Sequence, residues 1–325
     1  MLASLVLVGC ADTRPAHGDN SIAQSWSWKP SKGTWEVTGE LLEPANVSAI
    51  ASVDGQSFMI GSDDLSIAQH GTINRKTHKL SLLARVPLFK GEDKDEIDIE
   101  GIAAAPPEKA YYVTGSHSLT KKGKMTKERR SVFRVLKKGT EWDEIDRKSL
   151  QNPIRDNATL QAYWEKPLQQ GGINIEGLAW KEGQLYFGFR SPNLKGHALV
   201  LQLPAEGLFK KGKDKQVLHH VPLGSGLGIR ELVAIREGFL IIAGNAGDAP
   251  TPEHRKSRDY TKGRPYGVYF WDPECNSVKH LAILTRPGRP EAMLVLADSA
   301  EATEVLILFD GVNGGSPMAY SINKG

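Results

Sequence analysis

Residues 97–104 read Ile-Asp-Ile-Glu-Gly-Ile-Ala-Ala (IDIEGIAA), and residues 173–180 read Ile-Asn-Ile-Glu-Gly-Leu-Ala-Trp (INIEGLAW). Five of the first seven positions are identical, and each copy keeps a carboxylate inside an apolar, strand-like run. A repeated internal frame is the mark of an architecture in which one supersecondary unit stacks on copies of itself. Weaker copies follow the same pattern. They are LGIRELVAI (227–235) with Glu231 before an apolar run, GRPEAMLVL (288–296) with Glu291, and ANVSAIASV (45–53) with Ser48 in the glutamate position. Positions 48, 100, 176, 231 and 291 lie 52, 76, 55 and 60 residues apart, and three of these four spacings lie near that of propeller blades.

Each frame leads to a second run that ends in small polar residues, as in SFMIGSDD (57–64) and LYFGFRSPN (185–193). Third runs such as SVFRVL (131–136) and fourth runs such as KLSLLARVPL (79–88) complete the unit. Four short strands per unit and five units predict an all-β fold, a five-bladed β-propeller, with six blades as the alternative count. The fifth unit stops one strand short after PMAYSI (317–322), and TWEVTGELL (34–42) is the expected closing strand. The longest spacing holds an insertion over 137–170. There Trp142, Ile145 and Leu150 fall at helical intervals and NATLQAYWEKP (157–167) reads as a further turn, so a short helical insertion is expected between blades 2 and 3.

The 33 glycines scattered among short apolar runs agree with a turn-rich β protein. A formal charge of +3 gives no nucleic-acid footprint, and the basic runs lack the interleaved aromatics of a single-strand binder. Near the start, Leu7-Val8-Gly9-Cys10 resembles a bacterial lipobox, although no Lys or Arg precedes it. The expected organisation is a signal remnant over 1–10, lipid on Cys10, a polar tether over 11–33 and one propeller domain over 34–325. The protein would then be a monomer on the cell envelope, facing the periplasm or exterior, touching the membrane only through its anchor. Cys275 reads as an inert lone thiol in that scheme.

In a propeller the first strand of each blade lines the channel and begins at the face where the second strand ends. Glu100, Glu176, Glu231, Glu291 and Asp310 are therefore expected at one mouth. Such an oxygen-rich set suits Ca²⁺ or Mg²⁺. Glu100 and Glu176 are also candidates for general base, with His117, Arg190 and Arg230 orienting a substrate or stabilising negative charge. Basic loops over 121–130 (KKGKMTKERR) and 254–264 (HRKSRDYTKGR) fall on the same face and suit a small anionic substrate. The rival reading is structural: glutamates bonded to backbone N–H groups of the next blade, or paired with Arg230. A non-catalytic module for polysaccharide or a partner protein would fit the same mouth.

The segments INIEGLAW…LYFGFRSP, IRELVAIREGFLIIAGNAGD and EVLILFDG, in this order, resemble the bacterial domain-of-unknown-function family 3616. That likeness covers most of residues 45–325 and implies a propeller without established chemistry. The Glu-Gly-(Leu/Ile)-Ala blade start is more distantly similar to propellers of the phytase-associated esterase-like group. By analogy, this implies a cation-dependent hydrolase of an anionic ester, phosphoester or lactone.

Overall fold

The computed structural model describes residues 26–89, 96–120, 122–139, 141–210 and 215–325. Five sheets stand around a central channel, each with antiparallel strands following the chain outward from an inner strand, except where N-terminal strands add to the outer edges of the first and last. The inner strands are Val47–Ala51, Ile99–Ala105, Asn174–Lys181, Leu227–Ile235 and Arg289–Asp298, for blades 1 to 5. Their second strands are Ser57–Ser62, Ala110–Gly115, Gln184–Leu194, Gly238–Asn245 and Ala302–Asp310.

The blades hold together through five hydrophobic clusters, each drawn from two neighbouring sheets. Ile99, Ile102 and Val113 of blade 2 pack with Ala49 and Met59 of blade 1. Leu178 and Phe187 of blade 3 pack with Ala103 and Tyr112 of blade 2. The remaining boundaries repeat the arrangement, and Leu294 and Leu306 of blade 5 meet Val47 and Ile50 of blade 1 to close the ring. Each sheet is thus buried on both faces, which is why its strands read as nearly continuous apolar runs.

The repeated frame has a specific cause. Every inner strand carries a β-bulge at the same place: the register skips Ser48, Glu100, Glu176, Arg230 and Glu291. A bulge inserts one residue without a cross-strand partner and shifts the side-chain phase by one. Ile99 and Ile102 therefore share a face three residues apart, where an unbroken strand would separate them. Ile175 with Leu178, and Ile229 with Leu232, do the same.

The glycine after the bulge is explained by the next blade. A Cβ on Gly101 would stand 2.8 Å from the Leu178 Cβ, and one on Gly177 would stand 2.8 Å from the Leu232 Cβ. Leucine of one blade seats on glycine of the blade before it.

Two expectations are corrected. The strand that completes blade 5 is Ser27–Pro30, paired antiparallel with Met318–Asn323, and Trp28 stacks on Tyr320. The tether read over 11–33 thus gives up its last residues to the ring. Glu36–Thr38, expected to close it, runs parallel to the outer strand Lys79–Pro87 of blade 1. Residues 141–148 form the outer strand of blade 2 rather than a helix. A register shift between Trp142 and Glu144 places Trp142 and Ile145 on one face, reproducing helical spacing within a strand. The helical insertion itself lies just beyond, as Gln151–Arg155 and two 3₁₀ turns, Leu160–Tyr163 and Leu168–Gln170. Ile154, Leu160 and Trp164 bury it against blades 2 and 3.

Candidate functional site

The five bulged residues carry the side chains that converge on the channel. Blade 4 contributes Arg230 at this position, whereas the sequence frame pointed to Glu231. Arg230 sits between two glutamates from neighbouring blades: its Nε lies 2.9 Å from Glu176 Oε2, and its Nη2 contacts Glu291 Oε1. Glu176 Oε2, Arg230 Nε and Glu291 Oε1 lack the alignment of a hydrogen bond despite these separations, so the contacts are ion pairs. Glu176 Oε1 accepts from Arg190 Nη1 at 3.0 Å and from Asn174 Nδ2 at 2.9 Å. Arg190 continues to Asp248 Oδ1 at 3.3 Å and to the Asn245 and Gly247 carbonyls. On the other side Arg289 lies 3.7 Å from Glu291 Oε1 and also pairs with Asp310. The result is an alternating chain, Asp248–Arg190–Glu176–Arg230–Glu291–Arg289–Asp310, across blades 3, 4 and 5.

Blades 1 and 2 differ. Ser48 donates to the Ile99 carbonyl at 2.5 Å and ties the two inner strands together. Glu100 faces the channel with part of its surface open. Burial, followed by the charge of Glu176, holds its carboxyl well above the ordinary range. Asp63, at the end of the neighbouring second strand, is pushed up to about 6 by burial and then by Asp64 and Asp310. Asp98 is raised to about 7: burial outweighs its pair with Arg129, whose Nη1 is 2.6 Å from Asp98 Oδ2. Arg129 also pairs with Glu96.

Glu231 is turned away from the channel. It occupies the place of the interlocking glycine and is fully buried between blades 4 and 5. Its Oε1 accepts from the Leu232 amide at 2.7 Å and its Oε2 from the Met293 amide of blade 5 at 3.2 Å. Burial raises its pKa despite these two bonds. His117 is buried beyond the end of the second strand of blade 2, with Nδ1 2.9 Å from the Gly115 carbonyl. Burial pushes it down to about 4, so the ring is neutral at pH 7. It makes no bond to the carboxylate chain.

Glu100, Glu176, Arg190, Arg230, Glu291 and Asp310 are thus brought to one mouth, while Glu231 and His117 stand apart. Arg289 and Arg129 were missed by sequence reasoning. Arg289 was legible as a cation two residues before Glu291, whereas nothing in KERR separates Arg129 from its solvated neighbours. In the second basic loop, Arg258 donates to the Asn193 carbonyl at 3.1 Å and Arg264 to the Ser225 carbonyl at 2.8 Å, so these cations tie loops to the ring.

The donor set does not fit a resident Ca²⁺ or Mg²⁺ in the arrangement the frame suggested. Glu176, Glu291 and Asp310 are engaged by guanidiniums and Glu231 by amides. Among the described residues no group of three or more His, Cys, Asp or Glu is placed to hold an ion. Cys10 lies outside the described residues. Cys275 is not a free thiol, which corrects the reading of it as a lone one.

No curated protein matches the sequence. Solved structures match the chain at low identity. Virginiamycin B lyase from Staphylococcus aureus is 12% identical, with 87% of this chain and 82% of that one covered and a TM-score of 0.38. The RRP9 WD40 repeats are 8% identical, with 91% and 97% covered and a TM-score of 0.41. One family model spans most of the molecule, over residues 46–144 and 136–316. The chain belongs to that family, the proteins of unknown function designated DUF3616.

Proposed function

We propose that the channel mouth is the site of a hydrolase acting on an ester or lactone, with Glu100 as its general acid and Asp63 as its general base. One observation carries this reading. Two glutamates on equivalent bulges of adjacent blades have opposite environments: Glu176 is held between Arg190 and Arg230, while Glu100 is opposed by the charge of Glu176. A carboxyl held well above the ordinary range, beside one already engaged by guanidiniums, is a candidate proton donor. Glu100 would deliver its proton to the leaving oxygen, and Asp63, titrating near 6, would accept one from an attacking water.

Carboxyls outnumber guanidiniums at this mouth, and its arginines are already paired. A neutral ester, a lactone or a hydroxyl-rich glycan is therefore favoured over the anionic ester or phosphoester suggested by the loops. Should Ca²⁺ or Mg²⁺ bind here, Glu100 and Asp63 are the carboxyls left for it; the reading assigns the ion no step. The paired arginines also support a second reading, a glycan-binding module without catalysis. Placement on the bacterial envelope through a lipid on Cys10 rests on Leu7–Cys10 alone.

The test is turnover of a panel of neutral esters and lactones by wild type and Glu100→Gln, with and without Ca²⁺. Turnover lost in a folded Glu100→Gln variant supports the hydrolase. Glycan binding without turnover of any ester overturns it in favour of the binding module.

A further inference from the structure

A second polar site lies on the rim of blade 2, outside the channel. A cavity of about 490 Å³ opens between the loop before the third strand, the end of the outer strand and the first turn of the insertion helix. Its charged lining is Lys127, Arg130, Arg147 and Lys148, accompanied by the hydroxyls of Thr126, Ser131 and Ser149, and no carboxylate lines it.

Arg130 separates this cavity from an ordinary solvated basic patch. It is only 8% exposed, and its guanidinium carbon lies over the Trp164 ring, 3.6 Å from the centroid. Its Nε and Nη2 are buried without a hydrogen-bond partner, and among the described residues no carboxylate forms an ion pair with it. An arginine that far from water ordinarily finds a carboxylate, carbonyl or bound anion, because an unpaired buried donor costs the full desolvation of the group. The cation–π contact with Trp164 steadies the group but satisfies none of its N–H groups. The deficit extends inward. The charge of Arg130 helps to keep neighbouring His117 neutral, and His117 Nε2 is likewise buried without a partner.

We infer that this cavity is a binding site for a phosphate or sulfate monoester, its oxyanion seated on Arg130 and flanked by Lys127, Arg147 and Lys148. A guanidinium with free donors, steadied by an aromatic face, matches the oxygens of a tetrahedral oxyanion, and the hydroxyls of Thr126 and Ser149, which only accept bonds from backbone amides, can complete their coordination. The volume exceeds that of a bare oxyanion and falls in the range of small-molecule pockets, so the anion is carried on a larger body such as a sugar. The site is independent of the proposed hydrolase: none of its residues belongs to the channel.

The experiment is calorimetric titration of the full chain with glucose 6-phosphate, glucose 6-sulfate, glucuronate and glucose. The two esters should bind, glucose should not, and the affinity should fall with added salt. Comparison of the esters distinguishes a phosphate from a sulfate ligand. Arg130→Gln and the surface variant Arg147→Ala should each weaken ester binding, Arg130→Gln by about tenfold or more. Arg147→Ala keeps the test valid if Arg130→Gln does not fold. Binding of neither ester, glucuronate binding alone, or unchanged ester affinity in folded Arg130→Gln and Arg147→Ala would each overturn the assignment. Loss of ester binding with channel turnover intact separates this site from the hydrolase reading.

Discussion

Arg230 of blade 4 reaches back across the blade boundary to Glu176, Nε to Oε2 at 2.9 Å, while its Nη2 meets Glu291 of blade 5. One guanidinium thus neutralises carboxylates from both neighbouring blades. Replacing it with methionine would leave Glu291 with Arg289 alone and Glu176 with Arg190 alone, both largely out of water. Breaking a buried pair from one side costs about 3–5 kcal/mol. Arg230→Met should therefore show a lower urea midpoint, and adding Glu176→Gln should recover part of the loss. Equal stability of Arg230→Met and wild type would show that the chain of ion pairs contributes nothing to holding the ring.

The interlock of glycine and leucine predicts a cost for a single methyl. In Gly177→Ala the new Cβ would meet the Leu232 Cβ at 2.8 Å, and because both atoms sit on backbone the blades must part. Overpacking of this kind costs about 1–3 kcal/mol. Thermal unfolding would register it as a lower midpoint, with the same expected for Gly101→Ala against Leu178.

Ring closure can be tested by truncation. A chain starting at Trp26 keeps the strand Ser27–Pro30; one starting at Ser31 loses it and exposes the edge of Met318–Asn323. The shorter chain should melt earlier and self-associate in light scattering, because an unpaired edge is a template for another strand. Matching melting curves for the two truncations would mean that the strand does not secure the ring.

Two groups shape the pH dependence of stability in opposite directions. Asp63 is raised from 3.8 to about 6 in the folded chain, so its contribution is full below 3.8 and is lost as pH rises to about 6. His117 is lowered from 6.5 to about 4, so its contribution is present above 6.5 and is lost as pH falls towards 4. Urea unfolding across this window should show Asp63→Asn losing the limb that falls with rising pH. His117→Asn should lose the limb that falls with acid.

Intact mass spectrometry of protein from a bacterial membrane fraction addresses the anchor. A lipid on Cys10 requires a diacylglyceryl mass there and release of Cys10→Ser into the soluble fraction; because Cys275 is not a free thiol, it also requires that Cys275 be held by a sulfur other than Cys10. A Cys10–Cys275 bridge found by mass under non-reducing conditions would replace the lipid, since one sulfur cannot carry both.

The blade count and the identity of the inner strands were legible because the Ile-Glu-Gly-Leu frame is imposed by steric interlock, which tolerates few side chains. The error at blade 4 came from aligning on charge. Ile229 and Leu232 keep the spacing of Ile175 and Leu178, and alignment on those apolar anchors would have placed Arg230 with Glu176. The outer strand of blade 2 was misread for a related reason: a bulge makes a strand imitate the three-residue interval of a helix. Partner choice was not legible, because Arg129, Arg130 and Arg289 differ only in what the fold brings opposite them. The closing strand escaped notice because Ser27–Pro30 is short and becomes a strand only once blade 5 offers its edge.

The bulges also bear on how the fold can vary. A residue outside the cross-strand register contributes no ladder pair, so its side chain can be exchanged without moving the strand on either side. The five channel positions, now Ser48, Glu100, Glu176, Arg230 and Glu291, are set apart from the apolar ring that holds the blades. A designer who exchanges the paired charges of blades 3, 4 and 5 together could rewrite the lining of this channel and leave the scaffold in place.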